Sequence, residues 1–240
     1  WLAKEHDLVQ AFATGRDVYC EFASQIYGRT ITKDDKLERY VGKTAILGLG
    51  YGMGADKFQA TLKTGSPSVD VGDATAQAIV MQYRGMYPNI PRLWSGMKDS
   101  LFQMINPRGI GLKYGPLTIQ RHALELPNGM RLSYPNLRYH AGQFLYNTER
   151  EMIRTHGPRV TENVVQALAR LVITDQMLEI QALPEVDIVL QVHDEIIAIG
   201  SEYNADATMD KIIEIMRTAP EWCQDLPLDA EGGVSQVYDK

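Results

Sequence analysis

Leu8, Phe12, Val18, Phe22 and Ile26 recur at helical spacing across residues 4–27, and the pattern breaks near Gly15. Thr32 followed by Asp35 is a T-x-x-D start of the capping-box type, which predicts a helix from about 33 to 50 that ends at Gly50, Gly52 and Gly54. Two further helices are expected over 73–86 and 91–106, parted by Tyr87-Pro88-Asn89-Ile90-Pro91. Across 107–140 the period changes. Pro107-Arg108-Gly109 and Leu126-Pro127-Asn128-Gly129 punctuate short strand-like runs and predict a small β-insertion. Val164, Val165, Leu168, Leu171, Val172, Met177 and Ile180 then mark a long helix over 159–182. Two β-rich runs, 186–192 and 196–199, flank His193-Asp194-Glu195, which reads as a hairpin with acids at its tip. An amphipathic helix over 205–218 follows, and neither repeats nor low-complexity stretches occur. The pattern is that of an α+β chain.

Composition narrows the class. The 240 residues, 45% hydrophobic and 22% charged, suit one or two globular domains rather than a disordered, collagen-like or coiled-coil chain. The longest charge-free run in the first half, Thr44 to Ala55, is Gly-rich and too short to span a bilayer, so no membrane association is expected. Trp1 to Asp7 lacks the features of a signal peptide. Cys20 and Cys223 are too few for a disulfide framework or a Cys-rich zinc site, so a reducing, cytoplasmic setting is expected. The net charge of −6 argues against a polyanion partner, but it conceals a split: residues 1–174 carry a balance of +6 and residues 175–240 one of −12. The acidic part reads either as a solvated surface or as a place where carboxylates hold cations.

Two constellations carry chemistry. Arg39, Lys43, Leu47 and Tyr51 are spaced by four, which on a helix forms one slowly curving stripe about 18 Å long. No acid lies between Arg39 and Ala55. The cations suit phosphates, Leu47 a sugar or base edge and Tyr51 a base, the order of parts in a nucleoside triphosphate. A basic surface helix with a glycine-rich cap has the same spacing. Gly42-Lys43-Thr44 is no Walker A loop, because Leu37 stands where that loop needs glycine. At the hairpin tip, Asp194 and Glu195 offer adjacent carboxylates of the kind Mg²⁺ takes up, or else form a solvated turn. A histidine-aspartate metal phosphohydrolase would need further ligands, and His6, His122, His140 and His156 show no ligand spacing.

Taken in order, Arg39-x3-Lys43-x7-Tyr51-Gly52 and, far downstream, Gln191-Val192-His193-Asp194-Glu195 resemble motifs B and C of the family A DNA polymerases. Residues 8–28, 83–88, 126–135 and 162–167 resemble intervening segments with a phage-like flavour, and 226–231 resembles the family's closing palm strand. The resemblance implies a right-hand polymerase fold: a palm segment over 1–13, helical fingers over 14–168 with the β-insertion, and an antiparallel-sheet palm over 169–240. It implies template-directed DNA synthesis from dNTPs on primer-template DNA by two-metal catalysis with Mg²⁺, in a bacterial or phage-infected cell. Arg39 and Lys43 would bind the triphosphate, with Lys43 protonating pyrophosphate. Tyr51 and Gly52 would close over the nascent base pair. Asp194, supported by Glu195, would ligate Mg²⁺. His193 and Gln191 would lie near the primer terminus, and Gln166 with Glu162 or Asn163 would touch the duplex. Leu47 replaces the family's usual Phe or Tyr, which implies altered sugar discrimination. Tyr19 stands where many members have a histidine. Motif A, with a metal-binding aspartate, and the thumb are not represented, so the chain is expected to be an incomplete active site, inactive alone. A single-subunit RNA polymerase, whose tripeptide usually ends in Ser, and a non-catalytic nucleic-acid-binding remnant are the alternatives.

Overall fold

The computed structural model describes residues 1–237. The chain divides into two units, 1–164 and 165–240.

The first unit opens with helices α1 (His6–Ala13) and α2 (Val18–Tyr27), separated at Gly15, whose φ of +66° takes the chain into the left-handed region that glycine enters at least cost. Asp17 caps α2 by accepting from the Tyr19 and Cys20 N–H groups, and Gly28 closes it in αL. Helix α3 (Lys36–Leu49) packs on α2 at close range. Gly42 permits this, since a Cβ there would collide with the Tyr19 carbonyl oxygen. Helix α4 (Ala55–Thr64) was not expected from sequence: its ten residues bury just two large apolar side chains, Phe58 and Leu62. Helices α5 (Asp73–Met86) and α6 (Asn89–Ile105) follow as the periodicity requires.

The core of the helical part joins Phe22, Val41, Leu49, Phe58, Leu62, Ile79, Tyr83 and Tyr87. Phe22 and Tyr83 meet edge to face at 5.7 Å, and Tyr83 meets Tyr87 at 5.1 Å. Phe58 is fully buried, so Phe58→Ala would cost about 3–5 kcal/mol and release α4.

The β-insertion is larger than the pattern suggested. A four-stranded antiparallel sheet runs β1 (Lys113–Tyr114), β2 (Leu117–Gln120), β3 (Ala123–Glu125), β4 (Arg131–Ser133). A three-stranded sheet follows: β5 (Arg138–His140), β6 (Gln143–Asn147), β7 (Met152–Thr155). Ala141 and Gly142, both at positive φ, form the two-residue turn between β5 and β6. Helix α7 (Gly157–Gln181) begins in this unit and continues into the second.

In the second unit, β8 (Val186–Val192) and β9 (Glu195–Gly200) form an antiparallel hairpin, followed by α8 (Ala205–Arg217). Val189 is a bulge between the Ile188–Ala198 and Leu190–Ile197 pairs. The extra residue shifts the side-chain phase. Gln191, paired with Ile196, therefore shares a face with Ile188, while Leu190, Val192, Glu195, Ile197 and Ile199 line the other. On that second face Leu190 (47% exposed) and Ile199 (63%) are open, while Glu195 and Ile197 are half-buried. The expected strand over 226–231 does not form: Pro227 cannot donate to a ladder, and Asp229 instead pairs with Arg217 at 2.8 Å and accepts from the Ala230 N–H. No helix among the described residues is long and apolar enough to cross a membrane.

Candidate functional site

Helix α3 holds Arg39, Lys43 and Leu47 on one stripe, with Lys43 and Leu47 exposed. The helix stops at Leu49, and Tyr51 lies in a tightened turn beyond it, its N–H donating to the Gly48 carbonyl at 3.2 Å. Gly52 ends the turn at φ +78°, and a Cβ there would lie 2.6 Å from Pro158 Cβ. One aromatic side chain anchors this glycine-rich turn and another crowds it. Trp94 Nε1 donates to the Gly50 carbonyl at 3.0 Å, and a Cβ on Gly50 would meet the Tyr83 hydroxyl at 3.2 Å. Tyr51 is half-buried; burial pushes its phenol up from the ordinary value, and the negative charge of Glu162 adds to this.

Arg39 is not a free cation. Its Nε and Nη2 donate to Asp17 Oδ2 at 2.9 and 2.8 Å, and the guanidinium lies 5.3 Å from the Tyr19 ring centroid. Burial works to raise the Asp17 carboxyl, but the Cys20 N–H and Arg39 outweigh it and hold it below the usual carboxylate range. Asp17 lies 22 residues before Arg39 in another helix cap, and no sequence pattern announces the pair.

On α7 the candidates separate. Gln166 is exposed, whereas Asn163 is half-buried and its amide donates to the Tyr134 hydroxyl at 3.2 Å. Glu162 is exposed and its charge acts on Tyr51.

At the β8–β9 tip, His193 and Asp194 form a two-residue turn, both exposed, with His193 at φ +54°. A non-glycine residue there carries roughly 1–2 kcal/mol of backbone strain. The turn is braced from the packed face. Arg170 of α7 donates to Gln191 Oε1, and Gln191 Nε2 donates to the His193 carbonyl. Arg170, like Asp17, is announced by no local sequence pattern. Asp194 and half-buried Glu195 present adjacent hard oxygen donors, the chemistry Mg²⁺ prefers when it also keeps waters and phosphate oxygens, so the pair fits as part of a magnesium site. Among the described residues no three His, Cys, Asp or Glu side chains gather into a metal cluster.

Comparison with known proteins gives one consistent result. The family model for DNA polymerase family A matches residues 1–240. A DNA polymerase of Bacillus phage SP02 is 28% identical over 260 aligned residues, covering 100% of this chain and 39% of the phage protein. DNA polymerase I of Pseudomonas aeruginosa is 25% identical, again over 100% of this chain, which spans 23% of that protein. Among solved structures, the POL domain of Pol1 from M. smegmatis, in complex with DNA primer-template and dNTP, aligns with a TM-score of 0.63 at 22% identity, covering 95% of this chain and 35% of that one. That likeness is one of fold.

Proposed function

The chain belongs to DNA polymerase family A, and from that membership we propose that it forms the fingers and part of the palm of an enzyme adding dNTPs to a primer 3′ end on a DNA template. The observation that carries this reading is the family match along all 240 residues. Residues 14–168 would be fingers, and 1–13 with 169–240 palm.

On this reading α3 holds the incoming triphosphate. Lys43 Nζ, exposed and in no ion pair among the described residues, would neutralise phosphate oxygens and deliver a proton to the leaving pyrophosphate. Arg39 would bind phosphate by exchanging one oxyanion partner, Asp17, for another, so the guanidinium is pre-aimed without being left unpaired. Leu47 would line the sugar, and Tyr51 with Gly52 would cover the nascent pair. Gln166 would touch the duplex, with Glu162 beside Tyr51, while the bond of Asn163 to Tyr134 suits a supporting role. At the hairpin, His193 and Gln191 would lie near the primer terminus, and Asp194 with Glu195 would hold Mg²⁺. Two such ions, when bound, would supply charge neutralisation at the triphosphate and acidity at the primer hydroxyl.

The carboxylates completing that site would come from a segment outside these 240 residues. Supporting this, the chain spans 39% of the phage relative, and the two-stranded β8–β9 sheet leaves Leu190 and Ile199 exposed, as a sheet awaiting another element would. Primer extension tests the reading. The complete polymerase should extend a primed template with Mg²⁺, and the 240-residue chain alone should not. Extension by the chain alone would sink the incomplete-site proposal. Undiminished extension by the complete polymerase carrying Lys43→Ala would sink the triphosphate assignment.

A further inference from the structure

Residues 48, 50, 52 and 54 are all glycine, so the segment that carries Tyr51 has little stiffness of its own. It is held from outside. The Gly50 and Met53 carbonyls bracket Tyr51 and Gly52, and each accepts from a side chain rather than from a backbone N–H: Trp94 Nε1 donates to Gly50 at 3.0 Å, and Arg84 Nη2 donates to Met53 at 3.4 Å.

The two donors are joined to each other. The Arg84 guanidinium lies 5.7 Å from the Trp94 ring centroid. Arg84 is exposed and makes no ion pair among the described residues, so its charge is directed to the indole face and the Met53 carbonyl. Trp94 is fixed in turn through its backbone. A Cβ on Gly157 would lie 1.9 Å from the Trp94 carbonyl oxygen, so the start of α7 seats directly on it, and the next residue, Pro158, presses on Gly52. Helices α5, α6 and α7 thus converge on one short turn.

We propose that Trp94 and Arg84 are positioning residues for Tyr51: as one stacked unit they hold the carbonyls on either side of it and fix the direction of its ring before any nucleotide arrives. The functional half of this rests on the cover over the nascent base pair proposed for Tyr51; the structural half does not. A cover must sit at one height to tell a paired base from a mispaired one, and a misplacement of about 1 Å is costly in a reacting assembly. Neither Trp94 nor Arg84 need touch the substrate.

Fluorine NMR of the 240-residue chain labelled with 3-fluorotyrosine reads the structural half, with Tyr51→Phe identifying the Tyr51 signal. Trp94→Phe keeps a ring beside Arg84 and deletes the Nε1 donor. Arg84→Met deletes the other donor at an exposed position, so its melting temperature should stay within about two degrees of wild type. Both variants should shift or broaden the Tyr51 signal, and Arg84→Lys should restore much of it. Arg92→Gln, which removes an exposed α6 cation bonded to Asn89, serves as the control. A Tyr51 signal unmoved in both Trp94→Phe and Arg84→Met would overturn the proposal.

Primer extension by the complete polymerase reads the functional half. Each substitution should raise KM for the paired dNTP about fivefold, the worth of one neutral hydrogen bond, with kcat held within about twofold. Selectivity against a mispaired dNTP should fall by a similar factor. In a Tyr51→Ala background the same substitutions should add nothing, since the clamp then has no ring to place. Fully additive effects there would overturn the proposal. If Tyr51→Ala by itself leaves KM and selectivity unchanged, the cover role given to Tyr51 falls, and the fluorine signal alone decides the clamp.

Discussion

Arg39 closes on Asp17 through two hydrogen bonds to a single oxygen, at 2.9 and 2.8 Å, while the other Asp17 oxygen caps α2 through the Tyr19 and Cys20 N–H groups. One carboxylate thus starts a helix and aims the cation of the next. Asp17→Ala removes both functions and should lower stability by about 1–2 kcal/mol, mostly the cap. Because folding depresses the Asp17 carboxyl below 3.8, its contribution is present above that pH and is lost as pH falls through the folded value, so wild type and variant should converge in acid. Freed from its partner, Arg39 should bind inorganic triphosphate more tightly in the variant. Urea melts across pH and calorimetric titration with triphosphate check the two halves.

Glycines 42 and 85 should respond in opposite directions. A Cβ at Gly42 meets the Tyr19 carbonyl and lies 3.0 Å from Ala23 Cβ, and backbone cannot step aside cheaply, so Gly42→Ala should cost about 1–3 kcal/mol. Gly85, in α5, has nothing within 4 Å of an added Cβ and no positive φ, so Gly85→Ala should gain up to about 1 kcal/mol of helix propensity. Thermal unfolding of the two variants tests whether close approach of α2 and α3, rather than helix flexibility, explains Gly42.

These residues show what a sequence can disclose. Helix α5 falls on 73–86 as its periodicity requires, and β8 on 186–192, because each repeats its pattern long enough to be read. Helix α4 was missed because Phe58 and Leu62 alone make too short a stripe. Strands β6 and β7 escaped because Glu149-Arg150-Glu151 splits their apolar run. The strand expected at 226–231 came from resemblance, and Pro227 with the Arg217–Asp229 pair gives the chain another course. Within the candidate site, the Arg39–Lys43–Leu47 stripe and the acids of the hairpin were legible from spacing and composition. Asp17 and Arg170 were not, since a long-range partner leaves no local period.

Alkaline stability should report the aromatic core. Burial pushes the Tyr87 phenol up to about 12 and raises that of Tyr83 as well, with Glu5 adding to both. The neutral forms are favoured in the folded chain, so their stabilisation is whole below the ordinary value of 10 and is lost as pH climbs toward the folded values. Stability should fall above about pH 10 by about 1.4 kcal/mol per pH unit for each coupled tyrosine. Tyr87→Phe should lessen that slope by one tyrosine's share, measured by urea melts between pH 9 and 12. A slope unchanged in the variant would remove Tyr87 from the account.

Leu47 is 50% exposed on the α3 stripe and offers neither ring nor hydroxyl to a sugar. If the stripe takes the nucleotide as proposed, Leu47→Phe and Leu47→Tyr in the complete polymerase should change the ratio of dideoxy- to deoxynucleotide use and differ from each other through the phenol. Because the side chain is half in solvent, neither change should move stability by more than about 0.5 kcal/mol. Primer extension with mixed nucleotides measures the ratio; identical ratios in all three proteins would detach Leu47 from the sugar.

Asp194 and Glu195 provide the sharpest separation of function from fold. Asp194 is exposed at a hairpin tip, and the bulge at Val189 sets the phase that puts Leu190 and Val192 on the same face as Glu195. A residue so placed contributes little packing, so Asp194→Asn should leave the melting temperature of the 240-residue chain within a degree or two, corresponding to about 0.5 kcal/mol or less. In the complete polymerase the same substitution keeps shape and hydrogen-bonding capacity but removes the negative charge that would hold Mg²⁺, and the rate should fall by at least about a hundredfold. Glu195→Gln, on a side chain half-buried in the sheet, should lose less rate. The discriminating measurement is a Mg²⁺ titration of primer extension: a ligand's loss moves the half-saturating concentration upward, whereas simple damage to the hairpin lowers the plateau at every concentration. An Asp194→Asn enzyme with unaltered magnesium dependence would remove this carboxylate from the metal site.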